Sequence, residues 1–168
     1  TIMDFYQSLG YLVIGSRMRR LSDYLISEIN KVYQEEEMGF DASWFPLFFI
    51  LGQEQEVSIR QLADRIQVSH SAVSQLVSSL KKKGLVQSNT AVGDARVQMI
   101  RFTPEGVCML EKIKPVWEGL TRVMEDLECS HPEAASVLTG IAAMESAFEE
   151  KNLKDRIQGE LHHVNSTT

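Results

Sequence analysis

SHSAVSQLVSSLKKKG, residues 69–84, decides how the rest of this 168-residue chain is read. Ser69 is a good N-cap, because its hydroxyl can accept a hydrogen bond from an otherwise unpaired amide of the first helical turn, and Gly84 suits the left-handed position after a helix. Between them Val73, Leu76, Val77 and Leu80 fall at i, i+3, i+4 and i+7, a single apolar stripe facing a core. The opposite stripe is Ser71, Ser74, Gln75 and Ser78, short or flexible hydrogen-bonding groups without charge. The positive charge is held back to Lys81, Lys82 and Lys83 at the helix end. The macrodipole alone also favours lysines there, so the helix by itself fits a solvated face as well as it fits base edges flanked by phosphates.

Its neighbours decide between the two. Upstream, Ser58 caps a short helix in which Ile59, Leu62, Ala63 and Ile66 repeat the same spacing, and Gln67-Val68 leaves a tight turn before Ser69. Two amphipathic helices so joined make a helix-turn-helix, whose second helix enters the major groove. Downstream, residues 85–89 and 97–102 read as two strands joined by residues 90–96, a hairpin wing.

The run LADRIQVSHSAVSQLVSSLKKKGLV, then Asp94-x-Arg96, then Phe102-Thr103-Pro104-Glu105-Gly106, resembles the MarR-type winged helix-turn-helix transcriptional regulators over roughly residues 57–106. The resemblance implies a mainly α fold with a small β-hairpin wing, and long N- and C-terminal helices that interleave into a two-fold dimer. It implies that the helix matching residues 70–82 reads the major groove, that Arg96 reaches the backbone or minor groove, and that Asp94 holds the wing loop in shape. Members commonly carry arginine just after the Gly-Leu-Val, whereas this chain has Gln87-Ser88-Asn89. The expected readers are His70, Ser71, Ser74, Gln75 and Ser78, with Ser69, Lys81, Lys82 and Arg96 on phosphate or groove. Gln75 is the strongest by chemistry, since its amide can both accept from and donate to adenine.

A net charge of −6 looks wrong for a nucleic-acid binder until the charges are placed. Residues 57–103 carry seven basic and two acidic groups, a surplus of five positive charges, while residues 1–56 carry four and nine and residues 104–168 six and twelve. A basic lobe on an acidic scaffold orients a protein toward DNA. The surplus argues against the main alternative, a winged helix used only for protein contact. An enzyme is not expected: no Gly-rich phosphate loop, GxSxG or HExxH is present, and no cofactor is called for. Cys108 and Cys129 lack metal-ligand spacing and are expected as buried thiols, and no metal site is expected of His131, His162 and His163. No apolar run approaches the roughly eighteen residues of a membrane span, so a soluble cytoplasmic protein is expected.

The flanks supply the scaffold. Residues 2–36 form one long helical pattern that Gly10 and Gly15 weaken without ending. Asp41 caps a helix from Ala42 to Leu51 so rich in aromatic and aliphatic residues that burial nearly all round is expected. Thr103 and Pro104 open another long helix, with a kink expected at Pro115, and Ser130-His131-Pro132 restarts a last one whose apolar phase shifts at Leu153. These stripes exceed what a winged helix can cover, so a second copy is expected on them. The organisation expected is a single domain, residues 1–168, with a DNA-binding lobe at 41–103 and a helical dimerisation region at 1–38 and 104–164. The function expected is a homodimeric repressor of an inverted-repeat operator on double-stranded DNA. The resemblance further implies release by a small aromatic or phenolic effector, for which Arg17, Arg20 and Trp44 are candidates by residue type.

Overall fold

The computed structural model describes residues 5–91 and 94–166, with side chains throughout except at 91, 94–96 and 163–166. It confirms a mainly helical winged helix with one small antiparallel sheet. By compactness the chain divides into residues 1–117 and 118–168, with the boundary inside one long helix.

The first unit begins with a correction. Helix α1 covers only Phe5–Ser8, a 3-10 turn follows over Gly10–Val13, and α2 runs Ile14–Glu35. Gly10 takes φ +55°, a left-handed conformation that closes a helix rather than merely weakening it. Beyond α2, Asp41 accepts a hydrogen bond from the Ser43 amide at 2.8 Å, and a 3-10 turn over Ala42–Trp44 leads into α3, Phe45–Gln53, with Pro46 in its first turn. Leu47, Phe48 and Leu51 are buried, but Phe45 and Phe49 are 40% and 46% exposed, so α3 is not buried all round. Those two rings lie on its other side, where Trp117 covers them in part, with centroids 4.8 and 6.2 Å away.

Next come β1 (Val57–Ser58), α4 (Ile59–Ile66), α5 (His70–Lys82), β2 (Val86–Ala91) and β3 (Asp94–Phe102). The hairpin strands are longer than the sequence suggested, and β3 lies between β2 and the unforeseen β1, pairing Val86 with Phe102 and Val57 with Ile100. Val57, Leu62, Val73, Leu80, Ile100 and Ile113 are fully buried with Leu47 and Phe48, each such side chain contributing about 1.5–3 kcal/mol. A T-shaped aromatic run, Tyr33–Phe40 at 4.9 Å and Phe40–Trp44 at 5.3 Å, continues this core toward α2. Trp117 Nε1 donates to the Tyr33 hydroxyl at 2.9 Å.

Helix α6 spans Pro104–Ser130 and continues through Pro115. Its buried positions are Gly106, Leu110 and Ile113, one stripe. Cys108 lies two residues from both Gly106 and Leu110, on the far side of the helix, and Cys129 lies beyond the buried stripe. Both thiols are exposed, which corrects the expectation of buried ones. In the second unit a 3-10 turn over Pro132–Ser136 leads to α7, Val137–Glu150, and α8 follows at Leu153–Ser166. The phase shift foreseen at Leu153 is a break: Asn152 Oδ1 accepts from the Asp155 amide at 2.9 Å and so starts a new helix. Among the described residues no helix is long and apolar enough to cross a membrane.

Candidate nucleic-acid interface

The two helices of the motif are fixed by their own termini. Ser58 Oγ accepts from the Gln61 amide at 3.1 Å while the Gln61 side chain accepts from the Ser58 amide at 2.9 Å, a reciprocal capping box opening α4. Gln67 then takes φ +55°, and its side-chain amide donates to the Asp64 carbonyl at 2.8 Å, which makes the turn sharp. Ser69 Oγ accepts from the Ala72 amide at 3.2 Å and opens α5. At the other end Gly84, at φ +72°, lets its own amide reach the Lys81 carbonyl at 2.9 Å and the Leu85 amide reach the Leu80 carbonyl at 3.0 Å. That is the Schellman closure the glycine implied. Val73, Val77 and Leu80 are buried, so the rotation of α5 about its axis is set by its apolar stripe.

That rotation turns the polar stripe outward. Ser71, Gln75 and Ser78 are exposed and Ser74 is half-buried. With Ser79 and Lys82 they line one shallow open depression. Lys82 follows Ser71, Gln75 and Ser78 at i+11, i+7 and i+4, so the cation stands on the same line as the neutral groups. Ser79 was missed by the stripe reading, although it lies one turn after Gln75. His70 is exposed at the first helical position, beside the capping Ser69. The strip offers donors and acceptors without charge, then one ammonium group, an order that suits base edges next to a phosphate.

The three consecutive lysines diverge. Lys81 Nζ donates to Ser88 Oγ on β2. Lys83 Nζ lies over the Trp44 ring, 5.2 Å from its centroid. Lys82 alone lines the depression. On the wing, the side chains of Asp94 and Arg96 lie outside those described, so the expected contacts of both fall there too. Lower in the hairpin Arg101 pairs in register with Gln87, and Asn89, with its amide oxygen turned toward it, accepts from Arg101 Nε at 3.1 Å and Nη2 at 2.9 Å.

The candidate effector residues separate. Arg17 and Arg20 line a concavity of about 550 Å³ with Gly10, Tyr11, Ile14, Met18 and Leu21. The Arg20 guanidinium also lies over the Tyr6 ring at 5.4 Å. Trp44 is not part of that lining; it is half-buried against Phe40 and beneath Lys83. Among the described residues no group of three His, Cys, Asp or Glu side chains is placed to hold a metal ion.

Residues 38–97, which contain the whole of α3, α4, α5 and β2, match the MarR family. The HTH-type transcriptional regulator MhqR of Bacillus subtilis (strain 168) is 22% identical over 105 residues, which are 62% of this chain and 68% of that protein. The transcriptional regulator MosR of M. tuberculosis, solved in complex with DNA, superposes with a TM-score of 0.66 at 23% identity, over 83% of this chain and 98% of MosR. BpsR of Bordetella bronchiseptica, whose DNA binding is regulated by 6-hydroxynicotinic acid, superposes with a TM-score of 0.65 at 17% identity, over 79% of this chain and 92% of BpsR. At these identities the solved structures establish the fold, and the family match is confined to residues 38–97. The helix-turn-helix, the first wing strand and the family match fall on the same residues, so the segment 38–97 is similar to the winged helix-turn-helix lobe of MarR-type regulators.

Proposed function

We propose that the protein is a homodimeric repressor that reads an inverted-repeat operator through the outward strip of α5 and leaves it when a small aromatic acid binds. The observation that carries the reading is the open depression lined by Ser71, Ser74, Gln75, Ser78, Ser79 and Lys82. His70 and Ser69 extend the strip toward the helix start, Lys81 stands at its flank, and Arg96 on the wing supplies a second positive contact, its loop shaped by Asp94.

A second copy is the natural cover for the apolar surface outside the lobe, in the regions 1–38 and 104–164. On α2, Met18, Leu21 and Tyr24 are 40–59% exposed, and on α6 Leu120, Val123, Met124 and Leu127 repeat at i, i+3, i+4 and i+7 while 37–63% exposed. On α8, Leu153, Ile157 and Leu161 are all more than half exposed. Two-fold symmetry then requires half-sites roughly 34 Å apart. For the effector, the concavity bearing Arg17 and Arg20 joins a carboxylate partner to the Tyr11 ring, and the regulation of BpsR by an aromatic acid supports that class. Trp44 has no place in this version of the site.

The test is selection of bound duplex from a random pool, followed by titration of Gln75→Ala. The selected sequence should have a dyad, and Gln75→Ala should cost roughly 1–3 kcal/mol on it while leaving scrambled duplex almost unaffected. Equal weakening of both duplexes would show that the reading face is elsewhere. No salt-dependent binding of any duplex would favour a protein-contact module.

A further inference from the structure

We infer that Lys83 is a positioning residue for the reading helix and not one of its DNA cations. The inference rests on the DNA-reading role of α5 and deepens it. In the sequence Lys81, Lys82 and Lys83 are equivalent, a run of charge at a helix end that looks built for phosphate. The fold makes them different. Successive helical side chains point about 100° apart, and Lys83 lies past the last helical residue, as the C-cap. Its ammonium lies 5.2 Å from the centroid of the Trp44 ring, within the roughly 6 Å at which a cation is attracted to the ring face.

Trp44 is a firm anchor. It is half-buried at the 3-10 turn that begins α3, packed edge-on against buried Phe40, which packs on buried Tyr33 and Phe48. Asp41 caps that turn, and its Ala42 amide donates to Asn30 Oδ1 at 2.8 Å, so the turn is tied to α2 as well. On the other flank Lys81 reaches Ser88 on the wing strand. The end of α5 is thus held from two sides, and Lys82, between the two stays, is left on the outward strip. Lys83 gives the helix end a fixed distance from the α3 turn. A lysine placed over a ring also keeps its charge in water, so the stay needs no buried ion.

This makes the three lysines separable by experiment. Removing one phosphate-binding cation lowers the slope of log affinity against log salt by about 0.9. Affinity for a duplex recovered by selection, and for its scrambled control, would be measured at several salt concentrations for wild type, Lys82→Ala, Lys83→Ala, Lys83→Arg, Trp44→Leu and the double variant Lys83→Ala/Trp44→Leu, with melting temperatures alongside. Lys83→Ala should reduce affinity for the selected duplex about two- to fivefold, the equivalent of an exposed cation–π contact, with the slope unchanged. Lys83→Arg should restore it, because guanidinium stacks on an indole as well as ammonium does. Adding Lys83→Ala to Trp44→Leu should cost nothing further. Lys82→Ala should lower the slope, and a failure there, with Lys83 behaving as expected, would count against the reading face alone. Three results overturn the inference: a slope lowered by Lys83→Ala, which makes it a phosphate ligand; full affinity in Lys83→Ala; or additive losses in the double variant.

Discussion

Replacing Gly106 with alanine puts a methyl group where the chain has left none. Gly106 lies in the first turn of α6, and a Cβ there would stand 2.0 Å from the carbonyl oxygen of Leu85, 2.8 Å from Phe102 Cδ1 and 3.0 Å from the Leu85 carbonyl carbon. The Phe102 ring can turn aside, but the Leu85 backbone is tied down. Its carbonyl accepts from the Thr103 amide at 3.1 Å, and Thr103 Oγ1 donates to the Gly84 carbonyl while accepting from the Gly106 amide at 3.0 Å. Opening the gap from 2.0 to 3.0 Å, the least that real structures tolerate, means a 1.0 Å shift of one backbone past the other. Two of those hydrogen bonds loosen, at about 0.5–1.5 kcal/mol each, overpacking strain adds about 1–3 kcal/mol, and the better helix propensity of alanine returns about 1 kcal/mol. The net is a destabilisation of about 3 kcal/mol, or roughly 6–12 °C in melting temperature for a chain of this size. Thermal unfolding followed by circular dichroism, at one protein concentration because an oligomer melts in a concentration-dependent way, reads this directly. Gly119 in the same helix has nothing within 4 Å of its would-be Cβ, so Gly119→Ala should instead gain about 0.5–1 kcal/mol. A Gly106→Ala protein that melts at or above the wild-type temperature would refute the close approach of α6 to Leu85.

Two further outcomes follow from the packing. Burial pushes the Tyr33 phenol above its ordinary value of 10.0, although the hydrogen bond from Trp117 opposes this. A raised folded pKa gives stability that is fully present below the unfolded value of about 10 and is lost as pH rises through the folded one; Tyr33→Phe should abolish the highest-pH step of an ultraviolet titration, and persistence of that step would contradict the assignment. Leu21 is 54% exposed on α2, so Leu21→Asp should leave this chain folded, yield a monomer by sedimentation and take tight DNA binding with it, since one reading helix contacts too few bases; a wild-type monomer at micromolar concentration would refute the dimer.

Much of the lobe was legible because its signals are local. Ser58, Ser69 and Gly84 act within one turn of their own positions, and the spacing of Val73, Val77 and Leu80 fixes which side of α5 is buried before any partner is known. What escaped the reading was non-local or conformational. Strand β1 is two residues long and exists only because Val57 and Ser58 pair with β3 across the fold. Gly10 could have sat inside a helix; its φ of +55° is what ends α1, and no pattern of side chains encodes that choice. Phe45 and Phe49 read as core by composition, yet the stripe of Leu47, Phe48 and Leu51 takes the buried side of α3 and leaves them outside. Cys108 was placed by residue type alone, and residue type says nothing about which side of α6 a position occupies.

The interface shows the same division within a few residues. Helical period alone predicts that Ser71, Gln75, Ser78 and Lys82 form one line, and they do line one depression. The period applies up to Lys82 and stops there. Lys83 is the C-cap, with φ −82° and ψ −3°, and what it meets is decided by where α3 begins, an element from a different part of the chain. A charge count gives all three lysines the same role, because it counts charge and not direction. Yet Ser88 and Trp44 each claim one of them. If the Trp44 contact governs Lys83, only part of the five-charge surplus over residues 57–103 is a measure of DNA contacts, and the salt slope of binding should fall short of what that surplus suggests. A slope that accounts for every basic residue of the lobe would mean that the lysine run acts as a plain electrostatic patch after all.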